Sequence, residues 1–364
     1  MAAARRPLIL HTEASTGLGG QEIRILTETR WLLEHGWDAL IAGQPGSPLL
    51  AEAAAAGLPA VPVRMRGAVD ARALLALRRL VRSRDAALVH THSSIDSWLA
   101  TLAARSLGRP VVRSRHVSIA IPRRRALVYR LAHRVLTSGE AIRDIVVRAG
   151  VPPERVVSIP AGVDTARFHP GVSGRRVREE LGLAGPLVGI VANVRGSKGH
   201  RYFLEAARDV LAERPETRFL VVGEGVGLDD VRRRARELGL EREVVFTGFR
   251  RDVPEVMAAL DVLVLPSVKS EATSQVIPQA FAVGTPVAAT AVGGIPEIVR
   301  DGENGRLAPP ADAPALARAI LSLLADPGAA RAMARAGQAL VRERFTVDAM
   351  MERTTAVYRE LLGG

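Results

Sequence analysis

The chain has 364 residues, 48% of them hydrophobic, with a formal net charge of +12 and no cysteine. That length suits two ordinary domains with sizeable cores, and the missing cysteine excludes disulfides, thiolate metal sites and a thiol nucleophile. Residues 1–167 hold 24 Arg and 13 acids, whereas residues 168–364 hold 26 Arg plus Lys and 25 acids, so the basic half calls for an anionic partner.

The apolar run before His11 is too short for a signal-peptide core or a membrane span, and no other stretch is long and apolar enough to cross. A soluble cytoplasmic protein is expected. RPLILHT (6–12) reads as a first strand, followed by Gly17-Leu18-Gly19-Gly20 and a helix closed by Gly36. The glycines let backbone N–H groups approach an anion at a helix N-terminus, or form an ordinary tight turn. The second strand, DALIAG, ends without the acid that a dinucleotide-binding unit places there. AALVHTH, PVVRSRH, HRVLTSG and RVVSIP follow as further strands, with helical or loop material between them. That alternation predicts a parallel sheet.

The segment 161–175, rich in Gly and Pro, reads as a linker. The rhythm restarts with PLVGIVANV and runs through TRFLVVGEG, EVVFTGF, DVLVLPS, TPVAATA and GRLAP. The prediction is an α/β protein of two tandem Rossmann-like domains with a ligand crevice between them: residues 1–167, residues 168–345, and a C-terminal helix over 346–364 that packs back on the first domain. Ligands of such sheets bind at the carboxyl ends of the strands.

In VANVRGSKGH (191–200), Arg195 and Lys198 stand in a Gly-containing loop just before a helix. Cations there oppose the helix dipole unless an anion sits between them. A diphosphate accounts for the arrangement; a solvated basic loop is the bland alternative. Gly223-Glu224-Gly225 and Gly248-Phe249 mark further turns after strands. The richest stretch is LPSVKSEATSQVIPQAFAVGTPVAATAVGGIPEIVRDGENG.

The order of these pieces resembles the retaining glycosyltransferases of family 4, which have the two-Rossmann GT-B fold. The resemblance covers essentially the whole chain. It rests on Gly19-Gly20-Gln21-Glu22, Gly162-Val163-Asp164 with Phe168, Lys198-Gly199, Ser270-Glu271, Gln279-Ala280, Ala282-Val283-Gly284-Thr285-Pro286-Val287 and Gly293-Gly294-Ile295-Pro296-Glu297. It implies transfer of a hexose-type sugar from a nucleotide-sugar to a glycan or lipid-linked acceptor with retention, without a metal or other cofactor. Gly19 and Gly20 would lie against the donor diphosphate, and Lys198 would neutralise it as it leaves. Glu271 would hydrogen-bond the donor sugar. Thr273, Ser274 and Gln275 would help hold sugar and phosphate, and Gly248, Phe249 and Arg250 would edge the nucleobase. His116 resembles the histidine that the family places near the anomeric carbon. His11, His90 and His92 also end strands; they are candidates for acceptor contacts but read chiefly as structural.

Two positions depart from the family pattern. Asn193 stands where an arginine is usual, and Arg195 could supply the guanidinium from the same loop. Gln279 replaces the glutamate that accepts from the donor ribose, which loses a charge-assisted bond worth about 1–1.5 kcal/mol. No Asp-x-Asp motif or metal spacing is visible. Arg123, Arg124 and Arg125 sit among apolar residues and could face an anionic membrane or a phosphorylated glycolipid. An enzyme of lipopolysaccharide or other envelope-glycan synthesis, peripheral on the cytoplasmic face of the inner membrane, is the expectation. A catalytically weak, transferase-like scaffold is the alternative. Nucleic acid is not expected as a partner, since 4% aromatic residues give little stacking surface.

Overall fold

A computed structural model describes residues 6–269, 271 and 274–363, with the backbone alone at 123 and 124. It divides into two compact units, one of residues 1–160 and 350–364, the other of residues 161–349. The boundaries thus fall at 160/161 and 349/350, where the sequence placed them at 167/168 and 345/346.

The strands of the first unit are β1 (Leu8–Glu13), β2 (Asp38–Gly43), β3 (Ala60–Pro62), β4 (Leu88–Thr91), β5 (Val111–Arg115), β6 (Arg134–Thr137) and β7 (Val156–Ser158). They form one parallel sheet in the order β3-β2-β1-β4-β5-β6-β7. The order reverses between β1 and β4, and at such a switch point loops diverge and leave room for a ligand. β3 was not expected from the sequence. Its three residues end in Pro62, which is tolerated because β3 is an edge strand whose outer amides need no partner.

The second unit contains β8 (Leu187–Val191), β9 (Arg218–Val222), β10 (Val244–Gly248), β11 (Val262–Leu265), β12 (Val287–Thr290) and β13 (Arg306–Ala308). They form a parallel sheet in the order β10-β9-β8-β11-β12-β13, with its switch point between β8 and β11. β8, LVGIV, is buried along its full length, as expected of a strand covered on both faces. Alternation then divides its side chains between two cores. Leu187 and Val191 join Leu263, Leu265 and Val287 on one face, and Val188 and Ile190 join Val262, Val264 and Ala288 on the other.

The helix Val347–Leu362 ends the chain, and its residues from Met350 onward belong to the first unit. Tyr358 is fully buried there, edge-on to Trp37 at 6.0 Å between ring centres. Among the described residues, no helix is long and apolar enough to cross a membrane.

Candidate functional site

In the second unit, β8 runs into a loop and a single helical turn, Gly196–Lys198, before the helix His200–Glu213. Gly199 joins the two with φ +71°, and a Cβ there would lie 1.8 Å from the Pro266 carbonyl oxygen. Only glycine allows this approach. The approach brings the loop after β8 against the loop after β11, and Lys198 Nζ donates to both Glu271 carboxylate oxygens at 2.7 and 2.8 Å. Ser267 Oγ donates to Glu271 Oε2 at 2.8 Å. The Glu271 side chain is 8% exposed and that of Lys198 15%. Behind Glu271, the Gly294 N–H donates to its carbonyl at 3.2 Å. A Cβ on Gly293, which has φ +57°, would meet that same carbonyl at 1.9 Å. The Gly293-Gly294 pair therefore fixes the backbone that aims Glu271.

The sequence reading kept Lys198 and Glu271 apart, one for phosphate and one for sugar. The structure joins them into one ion pair, because the loops after β8 and β11 are neighbours at the switch point. Arg195 is not part of it. It is exposed, makes no ion pair among the described residues, and lines a separate cavity of about 570 Å³ with His200, Tyr202 and Asp230. Asn193 is exposed as well.

Other expected donor contacts divide. Ser274 is buried, and Gln275 and Gln279 are half-buried near the start of the helix Val276–Val283. Thr273 lies outside the described residues. Phe249 is 66% exposed and free to meet a planar ring, and Gly248 takes φ +72°. Arg250 is differently placed. Its guanidinium binds both oxygens of Glu180 at 2.7 and 2.9 Å and both oxygens of Asp252 at 2.8 and 2.6 Å. Those bonds hold it further above its usual pKa range and hold Glu180 and Asp252 below theirs. It ties its loop together and has little left for a nucleobase.

In the first unit, Gly19 precedes the helix Gly20–Glu34. Its N–H donates to Glu22 Oε2 at 2.8 Å, so the amide expected to meet a diphosphate already caps its own helix. Gly20 is exposed in the first turn. The acid of the Gly-Gly-x-Glu motif thus holds the turn in which the glycines were expected to meet an anion.

The switch point of this sheet gathers four histidines. His11 on β1 and His90 on β4 are register partners. His11 Nδ1 lies 3.0 Å from His92 Nε2, and His90 contacts Tyr358 Oη at 2.6 Å and Ser114 Oγ at 2.8 Å. The His92 and His116 rings stack at 5.9 Å. Glu28 Oε2 lies 3.9 Å from His11 Nδ1 and 3.7 Å from His90 Nδ1. One ligand atom from each of His11, Glu28, His90 and His92 falls within 4.8 Å of the others, a donor set that no sequence spacing revealed. Glu28 is already matched, however, by Arg24 Nε at 2.6 Å, and a cation placed there would meet that guanidinium in a dry core. The cluster fits a neutral hydrogen-bonded network better than a metal centre. Burial lowers the pKa of His11, His90 and His92, and burial with the charge of Arg24 lowers that of His116 to about 3.

That neutrality predicts acid sensitivity. Below about pH 6.5 an unfolded histidine takes up a proton that the folded site refuses, so stability falls as pH drops toward the lowered folded values. Glu13, raised to about 8 mainly by burial, and Asp96, raised to about 6 mainly by burial, act oppositely, since the fold binds their protons first. Four histidines against two carboxyls leave a net loss of stability as pH falls below about 6.5. Trp31, Trp37 and Trp98 are the three tryptophans and all lie in the first unit, so urea melts followed by tryptophan fluorescence report this unit. A midpoint unchanged from pH 6.5 to 5 would mean that the histidines do not outweigh Glu13 and Asp96.

Beside the histidines lies a cavity of about 280 Å³ lined by His92, Ser93, Arg113, Arg115, His116, Arg125 and Tyr129 among others. The Arg125 side chain is exposed. The side chains of Arg123 and Arg124 are outside the description. On the helix Arg123–Leu131, Ala126, Val128 and Tyr129 are buried and Leu127 is 51% exposed. Most of its apolar face is therefore spent on the core. The sequence reading passed over Arg113, Glu13 and Asp96. Arg113 carried a signal, a charge at the centre of a strand in a parallel sheet.

Comparison with known proteins adds a family. "Glycosyltransferase Family 4" matches residues 18–167 and "Glycosyl transferases group 1" matches residues 185–326. The 2-deoxystreptamine glucosyltransferase of Streptomyces kanamyceticus is 30% identical over 94% of this chain and 99% of its own. An Escherichia coli galactosyltransferase acting on GlcNAc-diphosphoundecaprenol is 27% identical over 71% of each chain. The crystal structure of Anabaena HepE in complex with UDP superposes with a TM-score of 0.88 at 22% identity, covering 97% of this chain and all of that one, a likeness of GT-B fold.

Proposed function

The chain belongs to the family 4, group 1 glycosyltransferases, and from that premise we propose that it transfers a hexose-type sugar from a nucleotide-sugar to a hydroxyl of a glycan or lipid-linked acceptor, with retention and without a metal. The observation that carries the proposal is the Lys198–Glu271 pair, held by Ser267 and by the Gly293-Gly294 turn. Lys198 is the cation within reach of a leaving diphosphate. Glu271 is a carboxylate placed to accept from sugar hydroxyls once the donor draws Lys198 away from it. The bond from the anomeric carbon to the phosphate oxygen breaks, and the acceptor oxygen bonds that carbon on the same face. The acceptor proton passes to the leaving phosphate oxygen. No side chain acts as general base, so rate comes from positioning and from charge stabilisation. His116 enters as a neutral ring able to hydrogen-bond, not as a cation.

Acceptor identity is not decided by similarity, since relatives of comparable identity are named for an aminocyclitol and for a lipid diphosphate. The charge of the first unit favours an anionic acceptor of envelope-glycan synthesis. The test is product mass spectrometry with a panel of nucleotide-sugars and acceptors, with and without EDTA. Abolition of turnover by EDTA sinks the metal-free mechanism. Nucleotide binding without turnover on any pair favours the scaffold reading, to which the place of Arg195 outside the Lys198–Glu271 ion pair lends its support. At the ribose-side position, Gln279→Glu is expected to lower the donor Michaelis constant by up to about tenfold, through one restored charge-assisted hydrogen bond. A weaker Michaelis constant would mean that the pocket is built around the amide.

A further inference from the structure

We propose that the cavity beside His116 is an anion pocket that receives a phosphate group of the acceptor, with Arg113 as its buried anchor. The inference rests on the transferase reading and names the acceptor chemistry within it. Arg113 lies at the centre of β5 with 4% exposure, and its guanidinium stacks on Tyr129 at 3.7 Å from the ring centre. Its Nε and Nη1 are buried and have no partner among the described residues, as are Arg115 Nε and His116 Nε2. A buried guanidinium with unmet donors is costly, and a phosphate or carboxylate relieves that cost with bidentate bonds.

The surroundings offer no substitute. Among the described residues, the cavity lining includes Arg113, Arg115 and Arg125 and no Asp or Glu. A carboxyl whose charge bears on Arg113 is Asp96, but its oxygens already accept from Thr12 Oγ1 at 3.0 Å, from the His92 N–H at 2.9 Å and from Ser93. Arg115 spends its two terminal nitrogens on Tyr129 Oη and the Ile119 carbonyl, which fixes the wall of the pocket. A volume of about 280 Å³ is at the small end of ligand pockets and suits one phosphorylated sugar or a lipid-diphosphate head. The mouth is apolar, with Val117 49% and Ile119 67% exposed. A cationic aminocyclitol is the wrong charge for this pocket.

The test titrates the full chain by calorimetry with glucose 6-phosphate, glucose, 2-deoxystreptamine and farnesyl diphosphate, each with and without UDP or GDP. A phosphate-bearing probe is expected to bind at least about tenfold tighter than glucose. Arg113→Met should remove most of that preference while leaving nucleotide affinity unchanged. Arg113→Lys should restore part of it, and the surface variant Arg125→Ala, which keeps the core intact, should weaken the phosphate by a smaller factor. Preference for farnesyl diphosphate assigns a lipid-linked acceptor, and preference for the sugar phosphate a soluble one. Equal binding of glucose and its phosphate, tighter binding of 2-deoxystreptamine, or displacement of the phosphate by nucleotide would overturn the inference. Failure of both nucleotides to bind is a separate result and counts against the transferase reading alone.

Discussion

Lys198→Ala is expected to lower kcat by about 10²–10³-fold while changing nucleotide-sugar affinity much less. The lysine meets most of its charge demand when the diphosphate leaves, so its removal is felt in the transition state more than in the ground state. The structure adds a second consequence. Glu271 is 8% exposed and receives two bonds from Lys198 and one from Ser267. Without Lys198 it keeps only the serine. An unpaired buried carboxylate is costly, and the variant should also lose stability, by about 1–3 kcal/mol given that the pair is not fully desolvated. The double variant Lys198→Ala/Glu271→Gln separates the effects. Melting should recover toward the parent value because the stranded charge is gone, whereas kcat should stay low. A Lys198→Ala enzyme with undiminished kcat would remove the residue from the mechanism.

Gly293→Ala should be nearly as damaging, although no ligand need touch that position. An added Cβ would lie 1.9 Å from the Glu271 carbonyl, at φ +57°, where side chains are strained. Neither the contact nor the backbone angle can be kept, so the turn must open and Glu271 must move. A displacement near 1 Å in a positioned group costs about 10²-fold in rate, and the strained turn should cost about 2–4 kcal/mol of stability. The measurement is kcat together with thermal melting. Wild-type turnover in a folded Gly293→Ala chain would show that the position of Glu271 is not set by this turn. Gly305→Ala is the comparison, because a Cβ there meets only Val287 and Val299, at 2.9 Å, away from Glu271.

The architecture was legible because parallel sheets require it to be. Strands covered on both faces must be short and apolar, and runs such as LVGIV and VLVL appear as uninterrupted blocks between helical segments. Edge strand β3 escaped because it is three residues long and leans on one neighbour only. The loops named for the donor were legible too, since glycines at forced turns leave a mark in composition. What those glycines serve was less legible. Gly19 looked like an anion cradle, yet its N–H is taken by Glu22. Arg250 looked like a base contact, yet four carboxylate oxygens hold it.

The sequence by itself determined the two-sheet architecture, the family and the identity of Lys198, Glu271 and His116 as candidates, because each is set by local pattern and short spacing. Only the tertiary structure decided which of them meet. Lys198 and Glu271 stand 73 positions apart, and His11, Glu28 and His90 lie on three separate elements. They come together because the sheets reverse order between β1 and β4 and between β8 and β11. The placement of Arg113 is of the same kind. An arginine in a strand shows its purpose only once burial leaves two of its donors without a partner among the described residues, beside a cavity whose described lining holds no Asp or Glu.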